Sequence, residues 1–346
     1  MRFYNRNDIL YVSINGKRTS TKLKYTKENI KLFQSYVKND EFLKKFNVIT
    51  IIPTVLQLCE EVLNEKENIL KPTSYLTYYS TYKSSIIPYF DKKINEIEAC
   101  HIEQWYKTFK SKSGIIIAEA ILKNAFEKAI LRKYIKYTPF VIRKPKFKSN
   151  YEINPFNLED INIILNFKND WFTNFLGVAF YSGMRTGEIL ALKWCDIDFL
   201  NYAIDINKTQ TNGFLQSPKT KSSLRIIDML PQVEFYLREQ RKITGLGEFV
   251  FLAYRNKKIK SSSQLHPYWK NRLKQCNIFY RNIYQTRHSF ASNMLSNGED
   301  LNWVSQMLGH KNPSVTQEKY FKYIPKRVKE RKSTFLDTLS TKIAQI

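Results

Sequence analysis

Hydrophobic and polar positions alternate with two different periods along this chain, and the change of period separates its parts. In "ILYVSI" (9–14) the character switches residue by residue, as in a half-buried strand. Asn15-Gly16 follows, a strong two-residue hairpin signal. "KRTSTKLKY" then predicts a second strand whose polar side carries Lys17, Arg18, Lys22 and Lys24, and "TKENIKLFQSYVKN" predicts a helix. Residues 1–47 are therefore expected to form a small β unit.

From about 48 to 145 the period lengthens to that of a helix. Ile121, Leu122, Ala125, Phe126, Ala129 and Ile130 recur at helical spacing and mark a core-facing stripe. "KPTSYLTYYSTYKSSIIPYF" mixes Tyr, Ser, Thr and Lys, types that suit phosphate contacts from helix ends and equally a plain amphipathic surface. "RKPKFKSN" (143–150), with Arg143, Lys144 and Lys146, predicts an interdomain linker able to track a phosphate backbone.

The third part, 151–346, mixes both periods. "NPFNLEDINIIL" predicts a helix with Asn157 as N-cap and acidic residues in its first turn. "WFTNFLGVAFYS" predicts an apolar helix ending at Gly183, and "RTGEILAL" a short second one. "YAIDI" and "SSLRIIDM" predict strands flanking a turn-rich loop, "NKTQTNGFLQSPKTK". The remainder predicts mainly helices, with no internal repeat. The expected class is mainly α with small β-sheets.

Charge narrows the function. Among 346 residues, 56 Lys and Arg face 31 Asp and Glu, a net +25 that self-repels unless a polyanion offsets it. Residues 1–50 alone hold eleven basic and four acidic side chains, +7. The basic hairpin is either a solvated edge that uses Lys against aggregation or a sheet that lays its basic face in a DNA groove. No apolar run is long enough to span a bilayer and the N-terminus lacks a secretory pattern. Cys59, Cys100, Cys195 and Cys276 are scattered, with no metal-ligand spacing. A reduced, cytoplasmic, metal-independent protein is expected.

Four stretches of the third part carry chemistry together: "SGMRTGEILAL" with Arg185, "SPKTKSSLRIIDM" with Lys221, "NIYQTRHSFAS" with Arg287, and "MLGHKNPSVTQEKYF" with His310 and Tyr320. Each alone has a bland reading: a cap, a solvated loop lysine, a helix terminus, a packing tyrosine. In this order the set resembles the catalytic domain of the tyrosine recombinases, the phage-integrase family, over about 151–325. Over the first 150 residues the resemblance rests on architecture, an N-terminal β arm-binding unit (1–47) before a helical core-binding domain (48–145).

The resemblance implies phosphoryl transfer on a DNA diester through a 3′-phosphotyrosyl link. Arg185 and Arg287 would fork N–H donors onto the non-bridging oxygens, and His310 would add another. Tyr320 would be the nucleophile, with Tyr323 the fallback, and Lys221 the general acid for the leaving 5′-oxygen. Glu188 either orients an arginine or the lysine loop, or is an ordinary exposed charge. The family usually has His-x-x-Arg-His, and here Tyr284 stands at the first position. A phenol can hydrogen-bond phosphate but is a poor base near neutral pH, its reference pKa being about 10. The group that takes the proton from Tyr320 is therefore unassigned. His288, about 100° around a helix from Arg287, is expected to pack or hydrogen-bond in the core.

The implied partners are double-stranded DNA with core inverted repeats and arm sites, a homo-tetramer on that DNA, and bending or directionality factors. The implied activity is integration and excision of a mobile element or prophage. A type IB topoisomerase-like nicking–resealing enzyme and a catalytically silent DNA-binding regulator stay open. "KRVKERKSTFLDTLSTKIAQI" predicts a basic, amphipathic tail that either docks on a neighbouring protomer or packs on its own domain.

Overall fold

Leu10 and Val12, two apart and both fully buried, anchor an N-terminal sheet. It is the first element of a computed structural model that describes residues 2–14, 17–36, 52–147, 152–218, 221–253 and 257–324. The chain divides into two units, Met1–Ser149 and Asn150–Ile346.

The sheet has three antiparallel strands in the order β1 (Arg2–Arg6), β2 (Ile9–Ile14), β3 (Lys17–Lys24). β1 was not expected from the pattern. It forms because Asn7 and Asp8 both take left-handed φ, 54° and 58°, and close a two-residue turn beneath the Arg6–Ile9 pair. Helix α1 (Lys27–Tyr36) sets Phe33 edge-on to Phe3 at 6.1 Å. In β3 the register jumps between the Ile9–Lys24 and Tyr11–Ser20 pairs, with Lys22 at φ 59° in the bulge. Arg18, Lys22 and Lys24 are exposed, and Arg18 lies 5.0 Å over the Tyr4 ring. The Asn15-Gly16 turn and the Lys17 side chain lie outside the described residues.

Four helices follow: α2 (Val55–Glu67), α3 (Pro72–Ser85), α4 (Ala99–Lys107) and α5 (Lys112–Leu131). Thr54 and Gln57 form a reciprocal capping box at the start of α2. The predicted α5 stripe is the core-facing side: Ile121, Leu122, Ala125, Phe126 and Ala129 are buried, and Ile130 is half-buried. Trp105 packs among Phe90, Tyr106 and Phe109 and donates its indole N–H to the Ser85 carbonyl at 2.6 Å. α3 buries only Tyr82 completely. Buried Glu119 is held by Lys123 at 2.8 Å and by Lys144 from the predicted linker.

In the second unit α6 (Leu158–Asn166) starts at Asn157, whose side chain accepts from the Asp160 N–H at 2.7 Å as expected. α7 (Trp171–Ser182) is almost wholly buried and ends at Gly183, φ 65°. The short α8 (Thr186–Ala191) leads into an antiparallel sheet ordered β4 (Ile197–Asp198), β5 (Ala203–Ile206), β8 (Arg225–Asp228). The segment expected to be a turn-rich loop pairs instead as a hairpin, β6 (Thr209–Thr211) with β7 (Phe214–Gln216). Asn212 and Gly213, at φ 48° and 86°, make its turn, which is too short for period-based reading to find. Then come α9 (Pro231–Thr244), the two-residue strands β9 (Leu252–Ala253) and β10 (Lys257–Lys258), α10 (His266–Gln275), α11 (Gln285–Ser296), α12 (Leu301–Leu308) and α13 (Pro313–Tyr320). The protein is mainly α with small antiparallel sheets. Among the described residues no helix is long and apolar enough to cross a membrane. The predicted C-terminal tail lies outside the described residues.

Candidate active site

Three helix boundaries of the second unit converge on one cluster of charge. Gly183 turns the chain sharply out of α7, so that Arg185 becomes the N-cap of α8 and Glu188 its third residue. Glu188 accepts from the Arg185 backbone N–H at 2.9 Å and from its Nη1 at 2.7 Å. It is also gripped by Arg225, at the start of β8, through Nη1 at 3.2 Å and Nη2 at 3.0 Å. Glu188 is buried, so of its two readings the exposed charge is excluded. Burial works to raise its carboxyl pKa, but Arg225, Arg185 and Arg287 together hold it below the usual carboxylate range.

Arg287 lies in the first turn of α11 and is 2% exposed. Its Nη1 donates to the Gly183 carbonyl at 2.7 Å and its Nη2 to the Leu308 carbonyl at 2.6 Å. It thereby satisfies orphan carbonyls at the C-termini of α7 and α12. Burial pushes its pKa down to about 10, so it stays charged at neutral pH. Arg287 Nη2 also lies 3.3 Å from His310 Nε2. A guanidinium has no acceptor, so His310 Nε2 accepts and the proton sits on Nδ1, which donates to Thr316 Oγ1 at 2.7 Å. Burial, followed by the charges of Arg287, Lys319, Arg185 and Arg225, lowers the His310 pKa to about 3. Three guanidiniums face one carboxylate here, a local surplus of positive charge.

A cavity opens on this cluster, lined by Arg185, Glu188, Ser223, Asn282 and Tyr284 among others. Tyr284, 37% exposed, sits on its rim at the N-cap of α11. Lys221 begins the 3-10 turn Lys221–Ser223 before β8, and its side chain lies outside the described residues. Ser223 Oγ comes within 3.5 Å of Arg185 Nη1, which brings that turn to the cluster.

The two late tyrosines diverge, although one continuous helix would have aligned them. α13 ends at Tyr320, and Phe321–Tyr323 form a 3-10 turn. Tyr320 is 1% exposed, with its phenol oxygen 2.6 Å from His288 Nδ1. Tyr323 instead donates to the Ile153 carbonyl at 3.4 Å. His288 is buried with a hydrogen bond, as expected, but its partner is the candidate nucleophile. Burial, then Arg287 and Lys319, lower its pKa to about 4.

The description "Phage integrase family" matches residues 155–326, and "Phage integrase, N-terminal SAM-like domain" matches 54–110. The chain belongs to the phage integrase family. A tyrosine recombinase XerC-like protein of Caldanaerobacter subterraneus subsp. tengcongensis is 28% identical over 310 residues, covering 78% of each chain. The ICEBs1 integrase of Bacillus subtilis is 26% identical over 324 residues, covering 84% of this chain and 83% of its own. The fold is similar to that of the Tn1549 transposon integrase solved in complex with transposon right end DNA (TM-score 0.65, 18% identity, 85% of this chain and 99% of that one). It is also similar to a lambda integrase dimer bound to a COC′ core site (TM-score 0.60, 17% identity, 96% of both chains).

Within this integrase, reading by motif overlooked Arg225 and left His288 as core. Arg225 carried a signal: it lies two residues before buried Ile227 on one strand, so period two sends a charge to the inner face. The basic residues expected to bind DNA, Arg18, Lys22, Lys24, Arg143, Lys144 and Lys146, lie in the first unit, and the cluster lies in the second.

Proposed function

We propose that this integrase is a site-specific DNA recombinase that cuts and rejoins strands through a 3′-phosphotyrosyl link on Tyr320, to integrate and excise a mobile element or prophage. The observation that carries the reading is the cluster of Arg185, Arg225 and Arg287 about buried Glu188, with His310 hydrogen-bonded to Arg287 and a buried tyrosine at the end of the next helix. An enzyme that attacks a diester needs fixed positive charge where the two non-bridging oxygens gain negative charge. Arg185, the partly exposed guanidinium, supplies direct donors from the cavity wall. Arg287 supplies charge, and its bonds to two carbonyls set the relative positions of Arg185 and His310. Glu188 ties Arg185 and Arg225 to one carboxylate and so fixes their positions. Tyr284 offers a phenol O–H to the phosphate from the rim. Lys221, on the turn beside Ser223, gives its proton to the leaving 5′-oxygen.

The described part of the first unit fits the DNA-holding role. Residues 1–47 would read arm sites through the basic face of β3. Residues 48–145 would lie against core inverted repeats, with Arg143 and Lys146 on the phosphate backbone. The active assembly would be a tetramer on two DNA sites in the cytoplasm, helped by bending or directionality factors. Neither a metal nor a cofactor is part of this mechanism.

The burial of Tyr320 favours one second reading, a DNA-binding regulator that keeps the fold without the chemistry. Trapping on a nicked duplex carrying the junction sequence of the encoding element separates the two. Wild-type protein should give a covalent adduct on a denaturing gel, lost in Tyr320→Phe and kept in Tyr323→Phe. Tight binding with no adduct from wild type would establish the regulator instead.

A further inference from the structure

We propose that His288 takes the proton from the Tyr320 phenol as its oxygen attacks the DNA phosphate. The inference rests on Tyr320 being the nucleophile and assigns the role that Tyr284, a phenol where the family has histidine, is chemically unsuited to fill. Its basis is geometric. His288 Nδ1 lies 2.6 Å from Tyr320 Oη, within the reach a general base needs, and both groups are buried. Consecutive residues of α11 serve different halves of the reaction. Arg287 turns toward the Gly183 and Leu308 carbonyls, while His288, about 100° further round, turns toward α13.

The imidazole also has an outlet. A second cavity is lined by Ile153, Asn282, Tyr284, His288 and Lys319. Asn282 and Tyr284 line the cavity beside Arg185 as well, so Tyr284 stands between the imidazole and the phosphate-binding cluster. Its ring packs edge-on against His288, with centroids 5.2 Å apart.

Among the groups facing His288 are Arg287 on its own helix, Lys319 on α13, and the Tyr284 and Tyr320 phenols. Both cations and the burial keep the free imidazole neutral, and with its proton on Nε2 the Nδ1 lone pair faces the phenol. The same cations disfavour an added proton until an anion offsets them. A DNA phosphodiester is that anion, so proton acceptance is coupled to arrival of the scissile phosphate. The step balances. The Oη–H bond breaks and Nδ1–H forms, Oη bonds to phosphorus, the P–O5′ bond breaks, and the 5′-oxygen takes a proton from Lys221. On resealing every transfer reverses, and His288 returns the proton to Tyr320.

The test is single-turnover adduct formation by the full chain on the nicked junction duplex, from pH 5 to 9. Two substrates are compared, one with the ordinary 5′-oxygen and one with a 5′-bridging sulfur, which leaves without an acid. His288→Asn keeps an acceptor at the Nδ1 position without basicity. It should lose roughly 10²–10⁴-fold in rate on both substrates. Lys221→Ala should be slow only on the oxygen substrate. The wild-type rate on the sulfur substrate should fall as pH drops, and that limb should be absent in His288→Asn. A His288→Asn rate within threefold of wild type, or above it, would overturn the proposal and leave the bond as a clasp that holds the nucleophile. Should His288→Asn fail to bind DNA or to fold, His288→Gln takes its place in the same comparison, and a rate on the sulfur substrate within threefold of wild type overturns the proposal equally. An adduct that survives Tyr320→Phe removes the reading of Tyr320 itself, a result distinguishable from both.

Discussion

Arg225 forks onto both oxygens of Glu188 while its Nε donates to the Met307 carbonyl at 2.9 Å. One guanidinium thus joins the start of β8, the third residue of α8 and the end of α12. Both partners of the pair are nearly inaccessible, with side chains 8% and 2% exposed. Removing one leaves the other as an uncompensated buried charge, which typically costs about 3–5 kcal/mol.

Glu188→Gln should therefore lower unfolding free energy by about 3 kcal/mol or more, read from the urea midpoint at constant m-value. Arg225→Met should cost a comparable amount. The double variant should cost clearly less than the two together, because it leaves no lone charge. Additive losses would show that the pair is not coupled.

How much of this was readable follows from the physics of each element. Asn157, Gly183 and the α5 stripe obey rules that act within one or two turns, so local pattern revealed them. Arg185, Arg287, His310 and Tyr320 were legible as an ordered set of motifs whose chemistry requires those types. The contact of His288 with Tyr320 spans 32 residues, and helical spacing within α11 says only that His288 leaves the Arg287 face. The Asn212-Gly213 hairpin was hidden because three-residue strands carry too little periodicity.

Gly309 offers a cleaner probe of the Arg225 position. At φ 65° it occupies backbone space that glycine alone fills without strain, and a Cβ there would meet Arg225 Nη1 at 2.9 Å and its Cδ at 3.0 Å. Gly298 has φ 90° with nothing within 4 Å of an added Cβ. Gly298→Ala should thus cost only backbone strain, about 1–2 kcal/mol. Gly309→Ala should cost more in urea unfolding and should also slow adduct formation, because Arg225 and the neighbouring His310 must shift. Equal costs with unchanged adduct rates would show that Arg225 yields freely.

Acid should unfold the second unit by a defined route. His288 and His310 have folded pKa values lowered to about 4 and about 3, against 6.5 for the exposed imidazole. Below 6.5 the unfolded chain binds protons that the folded chain refuses, so stability rises with pH across this window and is lost as pH falls from about 6.5 toward 3. Glu188, its carboxyl lowered, adds stability that is present above the ordinary carboxylate pKa and is lost as pH falls below it. His288→Gln should flatten the slope of unfolding free energy between pH 6.5 and 4. A slope unchanged in that variant would mean that His288 does not carry the linkage.

The three basic residues Arg143, Lys144 and Lys146 should separate by what each one touches. Lys144 bridges to buried Glu119 beside Lys123, whereas Arg143 and Lys146 are exposed and have no acidic partner among the described residues. Burial works to raise the Glu119 carboxyl, and the hydrogen bonds and charges of Lys123 and Lys144 hold it low. Lys144→Ala should therefore lower the unfolding midpoint of the first unit, as partial loss of a buried charge's partners does. Arg143→Ala and Lys146→Ala should leave that midpoint in place. If both contact phosphates, each should reduce the slope of log K against log salt by about 1 in binding to the junction duplex. The measurement is a salt titration of DNA affinity beside a urea curve for each variant. Lys144→Ala with an unmoved midpoint and a slope reduced by about 1 would place it on the DNA backbone rather than on Glu119.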